Sequence, residues 1–167
     1  LYTGHVFQQT AFPETLKEER ITVLQGVPAM YARALEYLKR EQRALEAPAL
    51  IYISAGGSPL DSDTKKRVEA AFGLTLHNGY GLTEASPTIS QTRIDDRHQS
   101  STVGRVLPLL EYRLEPLGSS GTSEKAGDEI GELWVRGPNI MKGYFRQPDA
   151  TLATLTEEIS TILADIA

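Results

Sequence analysis

The feature that most limits this chain's architecture is the strand, helix, strand pattern between residues 49 and 78. Ala49-Leu50-Ile51-Tyr52-Ile53 is an unbroken apolar run, the mark of a strand covered on both faces in a parallel sheet. It ends in Ser54-Ala55-Gly56-Gly57-Ser58-Pro59. Leu60, Thr64, Val68, Ala71 and Phe72 then share one helical face, Lys65, Lys66, Arg67 and Glu69 fall mostly elsewhere, and Gly73 stands where a C-cap is needed. A second strand is predicted over 74–78. So short a return requires a right-handed crossover and parallel strands. The two glycine-bearing turns, 54–59 and 78–84, then leave the carboxyl ends of parallel strands at one sheet edge, where open α/β sheets bind ligands. They are expected to form opposite walls of one crevice. Neither turn has the GxGxxG spacing, which argues against a dinucleotide-binding unit.

The second turn carries the richer chemistry. In Asn78-Gly79-Tyr80-Gly81-Leu82-Thr83-Glu84-Ala85-Ser86-Pro87 two glycines flank a tyrosine, so the backbone can turn tightly and approach a ligand while an aromatic face stays available. Thr83 can donate to a phosphate, and the Glu84 carboxylate can hold a hard cation such as Mg²⁺. An aromatic platform, a phosphate donor and a metal carboxylate so close together suggest a nucleotide site. Spacing alone supports equally a glycine-rich strand-to-helix turn with Thr83 as N-cap.

Three blocks carry a resemblance. Tyr80-Gly81-Leu82-Thr83-Glu84, Ser54-Ala55-Gly56-Gly57-Ser58-Pro59-Leu60 and Gly131-Glu132-Leu133-Trp134-Val135-Arg136-Gly137-Pro138 resemble signatures of the AMP-forming acyl-CoA synthetases, the adenylate-forming superfamily, in the family's order. The resemblance runs over roughly residues 4 to 156 and implies part of the family's large N-terminal domain. It also implies activation of a carboxylic acid by MgATP to an acyl-adenylate and pyrophosphate, followed by transfer to coenzyme A. Site roles follow from it: Glu84 on Mg²⁺, Thr83 on the α-phosphate as the second catalytic group, Tyr80 with Gly57, Ser58 and Pro59 at adenine, and Gly56, Asn78, Gly79 and Gly81 also in cofactor binding. The implied cofactors are ATP/AMP, Mg²⁺ and coenzyme A, and the implied partner is a small carboxylic acid, fatty or related.

Elsewhere the chain reads as scaffold. A polar helical stretch over 14–20 precedes the short strand Ile21-Thr22-Val23-Leu24. Pro28 opens a helix whose Tyr31, Ala34, Leu35 and Leu38 share a face. After Pro87 short alternating segments take over, including Tyr112-Arg113-Leu114-Glu115 and Gly131–Arg136, with Gly118–Lys125 as a hairpin tip or loop. The expected organisation is an α/β subdomain over 1–95 with a partial parallel sheet and covering helices. A small antiparallel, barrel-like β subdomain over 96–150 and a helical tail over 151–167 follow. Trp134 is expected to pack within the β unit, and Tyr144-Phe145 to be core or rim. His5, His77 and His98 lack the paired spacing of a zinc site, and His77 is expected to be structural or to support the site.

Composition closes off several classes. A net charge of −5 without a long basic run speaks against nucleic acid or an anionic membrane as partner. The absence of cysteine excludes a disulfide framework and a thiolate nucleophile in these 167 residues. No apolar run reaches the length of a membrane span, and cytoplasm is the default compartment.

The tail departs from the family. Asp165 falls where the resemblance places a ribose-binding aspartate, but the aromatic and glycine residues that surround that aspartate are absent. Ile159, Ile162, Leu163 and Ile166 instead form a helical stripe, and Thr154-x-x-Glu157 resembles a capping box. Such a helix leaves room for an alternative, an adenylation enzyme that loads an acyl carrier protein. Leu1 is not a methionine, and the family's phosphate loop and catalytic lysine have no counterpart in this chain. It is therefore read as an internal piece, inactive alone, with a catalytically incompetent fragment that retains residual nucleotide binding as the further alternative.

Overall fold

The computed structural model describes residues 8, 10–95, 101–116, 131–155 and 160–161. The chain divides into two compact units, Leu1–Tyr80 with Ser90–Arg105, and Gly81–Ile89 with Val106–Ala167. The expected single boundary near residue 95 is thus replaced by a chain that changes unit more than once. His5, His98 and the 118–125 loop lie outside the described residues.

The first unit begins with α1 (Phe12–Glu18), β1 (Val23–Gly26) and α2 (Pro28–Arg40). Val27 is extended and Pro28 opens α2, a position where a missing N–H costs nothing. Pro28, Tyr31, Ala34 and Leu38 are the buried face of that helix, as their spacing requires. Next come β2 (Tyr52–Ala55) and α3 (Ser62–Phe72). The Asp61 side chain caps α3 by accepting from the Thr64 N–H at 2.8 Å, and Gly73, left-handed at φ 67, closes it. Strand β3 spans Leu76–Gly81.

Strands β1, β2 and β3 are parallel, with Ile53 opposite Leu76, Ser54 opposite His77 and Ala55 opposite Asn78. Tyr31, Leu50, Ile53, Ala55, Leu60, Val68 and Leu76 form the core that joins α2 and α3 to this sheet. Side chains of that size contribute about 1.5–3 kcal/mol each when fully buried. The Tyr31 hydroxyl donates to the buried Ser54 carbonyl at 2.8 Å, and burial drives its pKa above the ordinary tyrosine value. Lys65 departs from the sequence reading. It is only 2 % exposed, with its ammonium 3.5 Å from the Glu69 carboxylate one turn on, a pairing that makes burial of the charge tolerable.

Two boundaries move. The sequence reading ends the second strand at residue 78 and turns at the glycines, whereas β3 continues through Gly79-Tyr80-Gly81 and the turn follows at 82–87. Gly81 is there for proximity: a Cβ on it would lie 1.9 Å from the Pro87 carbonyl oxygen. Strands β4 (Thr88–Gln91) and β5 (Arg105–Val106) complete a five-stranded sheet of order β1-β2-β3-β4-β5.

The second unit has its own sheet, of order β6-β7-β8, built from β6 (Glu111–Pro116), β7 (Gly131–Arg136) and β8 (Ser160–Thr161), all antiparallel. Leu133 and Val135 point into its core, and Trp134 faces the other way under the Arg113 guanidinium, 4.8 Å from the ring centre. The tail corrects the sequence reading. Helix α4 spans Pro148–Thr154, and Ser160–Thr161 pair as a strand with Val135 and Trp134, whereas Ile159, Ile162, Leu163 and Ile166 lie outside the described residues. The edge of β7 offers backbone hydrogen bonds to Ser160 and Thr161, and that pairing replaces the helical reading at those two residues. Thr154 ends a helix instead of capping one: its hydroxyl donates to Ala150 O in the last turn of α4. Among the described residues no helix is long and apolar enough to cross a membrane.

Candidate functional site

Within the first unit lies a glycine-lined sheet edge. The register that sets Ala55 beside Asn78 brings the next residues, Gly56 and Gly79, together. A Cβ on Gly56 would stand 3.3 Å from the Gly79 carbonyl oxygen, so a side chain there would press on the neighbouring backbone. Gly57 follows in the left-handed region at φ 78, which only glycine enters without strain. Gly57, Ser58 and Pro59 are exposed, while Gly79 and Tyr80 are half-buried at the end of β3. The ends of β2 and β3 thus lie side by side at one sheet edge.

Asn78 has a second task. It is 4 % exposed. Its Nδ2 donates to the Ser101 and Thr102 carbonyls at 3.0 and 3.3 Å, and its backbone N–H donates to Thr92 Oγ1 at 2.9 Å. Its carboxamide N–H groups thus hold the 101–102 segment. His77 stacks on Tyr52 with ring centres 4.9 Å apart and lies 3.4 Å from Thr92 Oγ1 through Nδ1. Desolvation, helped by the nearby Lys65 charge, lowers its pKa below the ordinary histidine value. His77 and Asn78 together brace β3 behind the glycines.

The acidic turn belongs to the second unit. Leu82 is extended and Thr83–Ala85 form one 3₁₀ turn, after which Ser86 is left-handed at φ 50. The Leu82 N–H donates to Pro87 O at 2.7 Å and closes the loop. Thr83 does not cap a helix: Leu82 occupies the N-cap position, and the Thr83 side chain is exposed. The turn is held from a distant segment. Met141 N–H donates to Glu84 O at 2.8 Å, and Asn139 Nδ2 donates to Ala85 O at 2.6 Å and Thr88 O at 3.0 Å.

Tyr144 is the residue that sequence reasoning missed. Its hydroxyl donates to Glu84 Oε1 across 60 positions of chain, and that carboxylate raises the tyrosine pKa above its ordinary value. No local spacing connects residues so far apart. Among the described residues no group of three or more His, Cys, Asp and Glu side chains gathers to hold a metal. Asp165 lies outside the described residues.

Comparison with known proteins gives a consistent picture. A family model described as AMP-binding enzyme matches residues 1–145. A long-chain-fatty-acid–CoA ligase of Yersinia pestis is 35% identical over 130 residues, covering 78% of this chain and 22% of that protein. A feruloyl-CoA synthase of an Amycolatopsis species is 32% identical over 152 residues, covering 90% of this chain and 30% of that protein. Among solved structures, a malonyl-CoA ligase in a ternary product complex with methylmalonyl-CoA and AMP is similar at a TM-score of 0.73. It is 32% identical, and the match covers 95% of this chain and 33% of that one. This chain thus spans less than a third of the length of the two curated relatives.

Proposed function

The chain belongs to the AMP-binding enzyme family, and from that premise we propose that it is the nucleotide-handling segment of an ATP-dependent acid–CoA ligase. In the proposed reaction a carboxylate oxygen attacks the α-phosphorus of ATP, pyrophosphate leaves, and the thiol of coenzyme A then displaces AMP from the acyl-adenylate. The observation that carries the reading is the parallel register bringing Gly56 beside Gly79. It leaves a side-chain-free sheet edge flanked by Tyr80, which suits a flat heterocycle such as adenine.

Each residue has a role in this reading. Gly56, Gly57, Ser58 and Pro59 supply backbone and Tyr80 an aromatic face to adenine. Gly79 and Gly81 permit close backbone approach, and Asn78 keeps the strand in place. Thr83, exposed at the start of the 3₁₀ turn, donates its hydroxyl to the α-phosphate. Glu84 is the ligand of Mg²⁺, which when bound supplies positive charge against the phosphate oxygens. Donors fixed before the reaction lower its barrier because they need no reorganisation as charge develops.

The relatives' names differ in the acid, namely a long-chain fatty acid, ferulate and malonate, so the acid class is left to experiment. The carrier-protein alternative rested on a helical tail, of which Ser160–Thr161 are strand and 156–159 and 162–167 lie outside the described residues. The test is acid-dependent pyrophosphate release by the protein of the natural reading frame, with MgATP and a panel of fatty, aromatic and short dicarboxylic acids. At least one class should support turnover, and Glu84→Gln should lower it about 10²–10³-fold, the usual loss for one such electrostatic group. Full activity of Glu84→Gln would sink the metal assignment, and silence across the whole panel would sink the ligase reading.

A further inference from the structure

Four hydrogen bonds join the 139–144 segment to the acidic turn. Three reach backbone, from Met141 N to Glu84 O and from Asn139 Nδ2 to Ala85 O and Thr88 O. These would serve any turn of this shape. The fourth differs in kind: the Tyr144 hydroxyl donates to Glu84 Oε1 and so engages the one ionisable side chain of the turn. Tyr144 is itself well anchored. Its N–H donates to Thr151 Oγ1 at 2.9 Å, and the Thr151 hydroxyl in turn donates to Gln147 O at 2.8 Å at the start of α4. Gly143 lets that anchor form, since its φ is +144 and a Cβ on it would fall 2.7 Å from Thr151 Cγ2.

We infer that Tyr144 is a positioning residue: by holding Glu84 Oε1 it fixes the carboxylate's rotamer and turns the other oxygen toward the cation that accompanies ATP. This rests on the assignment of Glu84 to the metal. With no group of three or more acidic, histidine or cysteine side chains gathered among the described residues, the orientation of the Glu84 carboxylate is the contribution to the cation that this inference addresses. A side chain already held loses less freedom when it binds. Releasing it should weaken the interaction about two- to tenfold, the range for one immobilised side chain. A bond that only tied two loops together would leave metal dependence untouched.

The test is calorimetric binding of ATP to the protein of the natural reading frame, with and without Mg²⁺, which needs no turnover. Wild type, Tyr144→Phe, Glu84→Gln and the double variant are compared, each after its melting temperature is recorded. Tyr144→Leu is read in the same way should the phenylalanine variant not fold. Glu84→Gln is expected to abolish most of the Mg²⁺ enhancement of ATP affinity. Tyr144→Phe should remove two- to tenfold of it, leaving metal-free affinity unchanged. The double variant should match Glu84→Gln alone, because the tyrosine acts only through the carboxylate. If Glu84→Gln loses the enhancement while Tyr144→Phe keeps it, the positioning role is overturned and the metal assignment stands. An additive double variant, or equal weakening without metal, also overturns it. If Glu84→Gln keeps the enhancement, both the assignment and the inference built on it fall.

Discussion

Gly81→Ala is the substitution that most directly probes why the acidic turn sits where it does. The added Cβ would stand 1.9 Å from Pro87 O, 2.7 Å from Pro87 C and 2.9 Å from Thr88 Cα, all of them backbone. Real Cβ contacts essentially never fall below 3.0 Å, so the two backbones must separate by about 1 Å. That separation stretches the 2.7 Å bond from Leu82 N to Pro87 O, which closes the loop carrying Thr83 and Glu84. Overpacking of this kind costs about 1–3 kcal/mol, and the weakened hydrogen bond adds about 1 kcal/mol. The functional loss should be larger, since a displacement near 1 Å in a positioned group lowers catalysis about 10²-fold. Gly73→Ala is the control: it meets nothing within 4 Å but sits at φ +67. It should cost about 1–2 kcal/mol through backbone strain alone and leave turnover intact. The assay pairs melting curves with kcat/KM from pyrophosphate release for both variants. Gly81→Ala within threefold of wild type in kcat/KM, or no worse than Gly73→Ala, would refute the reasoning.

Tyr31→Phe removes the donor to the buried Ser54 carbonyl and should destabilise by about 1–3 kcal/mol, because a buried acceptor loses its partner. An unchanged urea midpoint would contradict that. Leu76→Ala, at a position 1 % exposed, should cost about 2–5 kcal/mol without changing KM for ATP once the protein is folded. A raised KM at full folding would place Leu76 in the site. His77 gives a pH dependence whose sign follows from its lowered pKa. As pH falls through the ordinary histidine value of 6.5, the unfolded chain takes up a proton that the native one refuses, so stability declines until the lowered native pKa is reached. Urea midpoints between pH 5 and 7.5 should therefore fall toward acid and flatten in His77→Gln. Identical slopes in the two proteins would remove His77 from the account.

Local rules made much of the first unit legible. Helix α3 could be read end to end because both ends are marked by chemistry acting within a few residues, the Asp61 cap and the left-handed Gly73. The parallel pairing of β2 and β3 followed from the apolar runs and the short return between them. What local rules missed was decided by distant partners. The glycines at 79 and 81 look like a turn in isolation, yet they extend a strand because another backbone passes within reach of them. The stripe at 159–166 has helical spacing, yet Ser160–Thr161 pair with β7, whose open edge no helical count can see. Lys65 shows the same limit, since a lysine among charged neighbours reads as surface until a carboxylate and a covering structure bury it.

The candidate site divides along the same line. Which residues offer chemistry, namely Tyr80, Thr83, Glu84 and the glycines, could be read from their types and spacing. What each is free to do could not. Asn78, grouped with the ligand residues by sequence, gives its carboxamide N–H groups to the Ser101 and Thr102 carbonyls. Tyr144, set aside as core or rim, reaches the single carboxylate of the turn. A side chain's availability depends on what else can take its hydrogen bonds, and buried polar groups almost always find a partner. Within a strand or turn that partner can lie far along the chain, as Tyr144 does for Glu84. In the proposed reading Glu84 is oriented both by the turn that presents it and by Tyr144, 60 residues on, and that second contact is written only in the fold.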